Sequence, residues 1–160
     1  MGRFSLAEET RIVEAIAPCT GAAAAAGDYI NMKYAPRIAI VVHIAQGDAS
    51  TVALTIEQAK AADGTGSKAI TEAVPIWANE DCAAGDKLTK KDKAVSFTTS
   101  AALKNKIVVF HVDTDILDKA NGYEWICVKA GASDADNLLS AEYVVGDLRY
   151  GAQDSPSLIS

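Results

Sequence analysis

Ile107-Val108-Val109-Phe110-His111-Val112-Asp113 is the stretch on which the fold turns. Successive side chains of an extended chain point to opposite faces, so Ile107, Val109 and His111 share one side and Val108, Phe110 and Val112 the other. Both sides are apolar, which predicts a core strand inside a two-layer arrangement. The same alternation returns in residues 123–129 and 142–148, and the run closes on Gly146-Asp147-Leu148-Arg149-Tyr150-Gly151. Three strands with turn residues between them describe a β scaffold, and no reaction centre is recognisable along them.

Working back from there, residues 37–46 place Ile38, Ile40, Val42 and Ile44 on one face and read as a second core strand. Residues 51–59 set Val52, Leu54 and Ile56 against Thr51, Thr55 and Glu57, which predicts one buried and one wet face. Residues 29–34 are a candidate strand that Pro36 ends. Asp63-Gly64-Thr65-Gly66-Ser67 is a turn, and residues 68–77 are expected to return from it as the second arm of a hairpin. Residues 79–93 are charged and aperiodic, predicting an exposed loop before a short β segment at 94–99. One helical turn is expected at 115–121 before Gly122, and an acidic turn at 133–137. About seven short strands without a long amphipathic crossover helix predict an antiparallel β-sandwich of jelly-roll-like type.

The N-terminus reads differently. It reads as a short amphipathic helix or ordered arm, in which Ser5 is a candidate N-cap with Glu8 as its capping-box partner, and Leu6, Ile12, Val13 and Ile16 make an apolar stripe that Pro18 ends. Residues 21–27 are an Ala tract bounded by glycines, read as a tether. The expected organisation is an N-terminal arm with its tether over 1–27, a β-sandwich domain over 28–150 and a tail over 151–160. The arm is expected to serve attachment and not the fold, because a capped amphipathic stretch on an Ala/Gly tether has little reason to pack into a sandwich.

A chain of 160 residues fits one domain and buries a core without needing disulfides or metal. Its apolar share is 49%, yet aromatics are only 6%, so the core is expected to be rich in small residues. A formal net charge of −6 removes the electrostatic attraction that supplies non-specific nucleic-acid affinity and disfavours anionic membrane surfaces. No run approaches the roughly 18 apolar residues of a membrane span. Arg3 is followed by Glu8, Glu9 and Arg11 instead of an apolar signal core, so a soluble chain without an export signal is expected.

The residues that carry chemistry elsewhere have plain readings here. Gly64-Thr65-Gly66-Ser67-Lys68 lacks the spacing of a phosphate loop and the helix after it, and reads as turn chemistry. His43 and His111 sit among apolar strand neighbours, far from any Cys or Glu at metal-ligand spacing. Asp113 with Asp115, and Asp134 with Asp136, alternate as calcium ligands do, but lack the central Gly and distal Glu of a complete loop. Cys19, Cys82 and Cys127 match neither a zinc site nor a CxxC motif, and Cys127, between Ile126 and Val128, reads as a small hydrophobe. The tyrosines and tryptophans lie mostly on strands, as core or subunit contacts. No catalytic residue, cofactor or metal site is expected, and the chain reads as a non-enzyme.

Asp28-Tyr29-Ile30-Asn31-Met32-Lys33-Tyr34, then Gln58-Ala59 and Gly64-Thr65-Gly66, then Asn121-Gly122-Tyr123, and finally Gly146-Asp147-Leu148-Arg149-Tyr150 come in an order that resembles small virion structural proteins of tailed bacteriophages, of the capsid decoration (head auxiliary or cement) type. The resemblance spans residues 29–150; the Ala-rich N-terminal segment and the three cysteines fall outside it. It implies a homotrimer or comparable homo-oligomer that binds and stabilises the major capsid protein lattice on the capsid exterior, made in the host cytoplasm, with no direct nucleic-acid or membrane partner. Many copies on a repeating lattice gain avidity without a large single interface. Two other readings stay open: a tail or head-to-tail connector subunit, and a carbohydrate-binding sandwich using an exposed aromatic such as Trp77. Asp147 and Arg149 point the same way at a strand end, so Arg149 is expected to hold carboxylates or loop carbonyls in its fork. Cys19 and Cys82, placed in exposed segments, are the candidates for an intersubunit disulfide in a particle that leaves the reducing cytoplasm.

Overall fold

A computed structural model describes residues 4–148, 151–152 and 154–159. After a single helical turn, α1 (Leu6–Glu9), the chain runs through β1 (Arg11–Thr20), β2 (Ala25–Ala26), β3 (Ile30–Asn31), β4 (Arg37–Gln46), β5 (Ala53–Ala59), β6 (Lys68–Ala69), β7 (Val74–Asn79), β8 (Thr89–Ala94), β9 (Ser96–Thr98), β10 (Asn105–Asp113), β11 (Trp125–Ala130) and β12 (Asn137–Gly146). The first sheet has the order β1-β12-β4-β10-β7-β8 and the second β2-β11-β5-β6, with β3 against β11 and β9 against β5. Every pairing is antiparallel, so the expected mainly antiparallel, two-sheet, sandwich-like fold is the one observed.

The core lies between the sheets. Ile38, Ile40, Val42 and Ile44 of β4 are all buried, and Val108, Phe110 and Val112 of β10 meet Leu54 and Ile56 of β5 and Ile126 and Val128 of β11 in one cluster. Tyr143 links the layers: its hydroxyl donates to the Asp28 carbonyl at 2.9 Å and accepts from the Val128 N–H at 3.1 Å. Burial of that ring pushes the phenol's pKa up, so the hydroxyl stays a donor. Gly27 is required beside it, because a Cβ there would lie 2.8 Å from the Tyr143 oxygen.

The largest departure from the sequence reading is at the N-terminus. Ser5 makes no side-chain cap and α1 stops at Glu9, after which the expected amphipathic helix is β1, paired with β12 from Arg11↔Val145 to Thr20↔Leu138. Two register irregularities, between Glu14 and Ile16 and between Ile16 and Cys19, turn Ala15 and Ile16 both inward. They give a strand an apolar spacing that imitates a helix. Pro18 is tolerated because β1 is an edge strand, where a missing N–H leaves no ladder bond unmade. The expected tether is held as well: Gly21 N–H donates to the Asn137 carbonyl at 2.6 Å, and β2 pairs with β11.

Smaller corrections follow the same logic. The hairpin after the 63–67 turn lasts two residue pairs, β5 with β6, and the chain then crosses to the first sheet as β7. The expected 79–93 loop ends in β8, which pairs with β7 despite three lysines. Residues 29–34 contribute only the two-residue β3. Ala152, Ser155 and Leu158 of the expected tail are buried, and Arg11 holds that segment by donating to the carbonyls of Ala152, Ser155 and Pro156 at 2.8–3.1 Å.

Lys106 begins the inward face of β10 and is fully buried. Its ammonium donates at 2.7 Å to both Gln46 Oε1 and the Ser100 carbonyl. Thr99 Oγ1 also donates to Gln46 Oε1, and Gln46 Nε2 to the Ser100 carbonyl, so those acceptors keep a partner without the lysine. Burial depresses the Lys106 pKa, partly offset by Glu80. Below the folded value both states are protonated and the full burial cost is present. Between that value and the ordinary 10.5 the unfolded chain holds more protons, so stability rises with pH. Lys106→Met lacks this gain. The stability of the unsubstituted protein relative to Lys106→Met, from urea midpoints, is therefore expected to climb as the pH rises toward 10.5; a difference that stays flat would contradict the assignment.

Candidate functional site

Directly paired residues share a face of a sheet, so the pairings of the first sheet define its outer surface row by row. One row crosses all six strands: Glu14 (β1), Glu142 (β12), Val41 (β4), Val109 (β10), Trp77 (β7) and Lys90 (β8). A second holds Ile12, Val144, Ala39 and His111; a third Ser140, His43, Ile107 and Asn79; a fourth Thr20, Leu138, Ala45 and Asn105. The sequence reading of residues 107–113 as a core strand of a two-layer arrangement holds, with one of its two apolar faces turned to the other sheet. Val108, Phe110 and Val112 face the core, whereas Ile107, Val109 and His111 lie on the opposite side, where no strand among the described residues forms a second layer.

This outer face is unusually apolar for a solvated one. Ile12 is 53% and Leu138 52% exposed, Val41, Val144, Ile107 and Trp77 are half-buried, and Val109 at the centre is buried among them. Contiguous apolar surface of this kind marks interaction sites. A shallow basin of about 600 Å³ opens at one end, between Arg37, Ala39, Pro75, Trp77, His111 and Val144. A second of about 300 Å³ lies at the other end, between Pro18, His43, Ala45 and Leu138. The charges sit at the margins. Glu14, Glu142 and Lys90 enter no ion pair among the described residues, whereas Arg37 bridges Asp113 at 3.3 Å and Asp147 at 3.4 Å.

The other polar constellations are occupied within the molecule. On the outer side of the second sheet, Tyr29, Glu57, Cys127 and Lys129 come together. Tyr29 donates to Glu57 Oε2 at 3.1 Å, and the Lys129 ammonium lies 2.6 Å from the same oxygen. Burial pushes the Cys127 thiol up to about 11, which keeps it protonated and unreactive near neutral pH. In the 63–67 turn, Gly64 and Gly66 adopt φ of 80° and 69°, and the Thr65 hydroxyl and N–H hold the Asp63 carboxyl below its ordinary range. Lys68 is taken by Asp118 at 2.6 Å, over the Tyr123 ring. Among the described residues no three His, Cys, Asp or Glu side chains converge as metal ligands. Asp134 accepts from its neighbour Asp136 N–H at 2.9 Å, as a turn does.

Asp147 is exposed in a left-handed conformation, φ 52°, and its arginine partner is Arg37; Arg149 lies outside the described residues. The arginine that forks onto loop carbonyls is Arg11, for which an isolated basic residue next to an apolar stripe gave no sequence signal. Cys19 lies on the β1 margin and Cys82 in the turn after β7, where its N–H donates to the Asn105 carbonyl at 3.0 Å; both thiols are free and partly exposed. Four strand spacings of about 4.8 Å separate β1 from β7, far beyond the roughly 7 Å that a bridge within one chain allows.

No family model matches the chain, and comparison with curated proteins finds no relative. Among solved structures, the SPBc2 prophage-derived protein YomS aligns over 86% of this chain and 94% of its own, with a TM-score of 0.48 and 9% sequence identity.

Proposed function

We propose that this chain is a non-enzymatic structural protein of a phage virion that acts by docking, with decoration of the assembled capsid lattice as the specific role. The observation that carries the reading is the outer face of the first sheet, a wide apolar surface with ionic margins that no strand among the described residues covers, which suits a subunit that assembles with further copies before it meets a lattice. The order of motifs from residues 28–34 to 146–150 supports the virion setting. The rigid antiparallel scaffold suits a component that must hold its shape on a repeating lattice, where weak contacts add through avidity. Cys19 and Cys82, partly exposed and too far apart to bridge within one chain, are available to a neighbouring copy after release into an oxidising medium.

The experiment is addition of the purified protein to heads that lack it, followed by sedimentation and mass spectrometry. Saturable binding at a fixed ratio to the major capsid protein is expected. Binding to tails or to isolated connectors instead would move the protein to another position in the particle, and binding to neither would reject a structural role in the virion.

A further inference from the structure

We infer that the outer face of the first sheet is covered by the same face of a second copy, in a two-fold dimer whose axis runs along the strands between β4 and β10. The row Glu14, Glu142, Val41, Val109, Trp77, Lys90 is acidic at one end, apolar in the middle and basic at the other. Rotation about an axis parallel to the strands lays β1 of one copy over β8 of the other, β12 over β7 and β4 over β10. Glu14 then meets Lys90 of its mate, Glu142 meets Trp77, and Val41 meets Val109, each contact made twice as isologous packing requires.

The neighbouring rows agree. His43 comes over Ile107 of the second copy and Ser140 over Asn79, while Ala39 comes over His111. The other in-plane two-fold, perpendicular to the strands, would stack β1 and β12 on their own copies and set Glu14 and Glu142 against a matching acidic margin. That arrangement repels, whereas the first gives Glu14 and Lys90 each other as complement across the interface.

Edge-to-edge growth of the sheet is blocked, which leaves the face as the route to association. The β8 edge carries Lys90, Lys91 and Lys93, and the β1 edge carries Pro18 and two register breaks, both recognised ways of blunting an edge. Six strands at about 4.8 Å and seven residues at about 3.3 Å span roughly 24 by 23 Å. A footprint of about 550 Å² per copy gives about 1,100 Å² in total, within reach of the area a specific interface needs. Twisted sheets of the same hand pack face to face in this aligned manner.

The test is a charge swap read by light scattering and sedimentation equilibrium. The unsubstituted protein is expected at twice 16.7 kDa. Glu14→Lys and Lys90→Glu are each expected to weaken association at least about tenfold, and the double variant to recover to within about threefold of the starting affinity. Both side chains are exposed, so folding is expected to be unaffected, with circular dichroism as the check. Val41→Arg, at the centre of the row, is expected to give a folded monomer. A monomer at high concentration, the three-fold assembly implied by the resemblance, or a dimer indifferent to all three substitutions would overturn the inference. The dimer does not rest on the virion reading. A monomer that still saturates heads would reject only the dimer, and a dimer that ignores particles would reject only the proposed function.

Discussion

Removal of residues 1–27 is expected to abolish folding, not merely to weaken attachment. The deletion takes away β1, and with it the pairing that runs from Arg11↔Val145 to Thr20↔Leu138. Ala15 and Ile16 leave the core, and β12 becomes a ten-residue edge with Leu139, Ala141, Tyr143 and Val145 newly uncovered along one margin. Arg11 goes too, so the segment of the buried Ala152, Ser155 and Leu158 loses four of the hydrogen bonds that hold it down. Losses of several kcal/mol against a total stability of about 5–15 kcal/mol leave no folded domain, and a long bare edge favours aggregation. Circular dichroism and gel filtration of the truncated protein provide the check. A soluble product that melts cooperatively within about 5 °C of the full chain would show β1 to be dispensable.

Phe110→Ala is expected to be the most damaging single substitution. Phe110 is fully buried, at the centre of β10 between Ile40 of β4 and Ile76 of β7. Truncating a core phenylalanine costs about 3–5 kcal/mol, as lost transfer energy plus the cavity left behind. For a chain of this length that lowers the melting temperature by roughly 10 °C. Val109→Ala, one residue away on the outer face, is expected to cost the isolated subunit under about 1.5 kcal/mol. Thermal melts of the pair under conditions that keep the chain monomeric decide the matter: equal losses would mean that the two faces of β10 are equally buried.

That contrast marks how far the sequence was legible. Alternation located β4, β5, β10, β11 and β12 and the inward residues of β4 and β5, because a period of two survives wherever one face is buried. It did not say which face of β10 looks inward, since Ile107 and Val109 are as apolar as Val108 and Phe110. The N-terminal strand was hidden for a different reason. Its two irregularities turn Ala15 and Ile16 inward together, and Pro18 reads as a terminator unless the strand is known to be an edge. Lys106 was invisible because only the register of β10 with Ile44 shows a lysine continuing the core face.

The candidate site was less legible than the fold. It consists of side chains from six strands that meet only through pairing, such as Glu14 with Glu142 and Trp77 with Lys90, and no local motif encodes those adjacencies. The short motifs that drew notice in the sequence serve the scaffold. Gly64-Thr65-Gly66 makes a turn, Lys68 pairs with Asp118, and Asp147 pairs with Arg37. Cys127 is buried, but on the side of β11 opposite to Ile126 and Val128, beside Tyr29, Glu57 and Lys129.

The most direct measurement of the central claim is quantitative mass spectrometry of density-gradient-purified particles from cells that carry the gene, with heads and tails separated. The account predicts this chain in the head fraction, at a fixed and repeated ratio to the major capsid protein that survives washing. Its absence from purified particles, or recovery only as a trace that varies between preparations, would contradict the account.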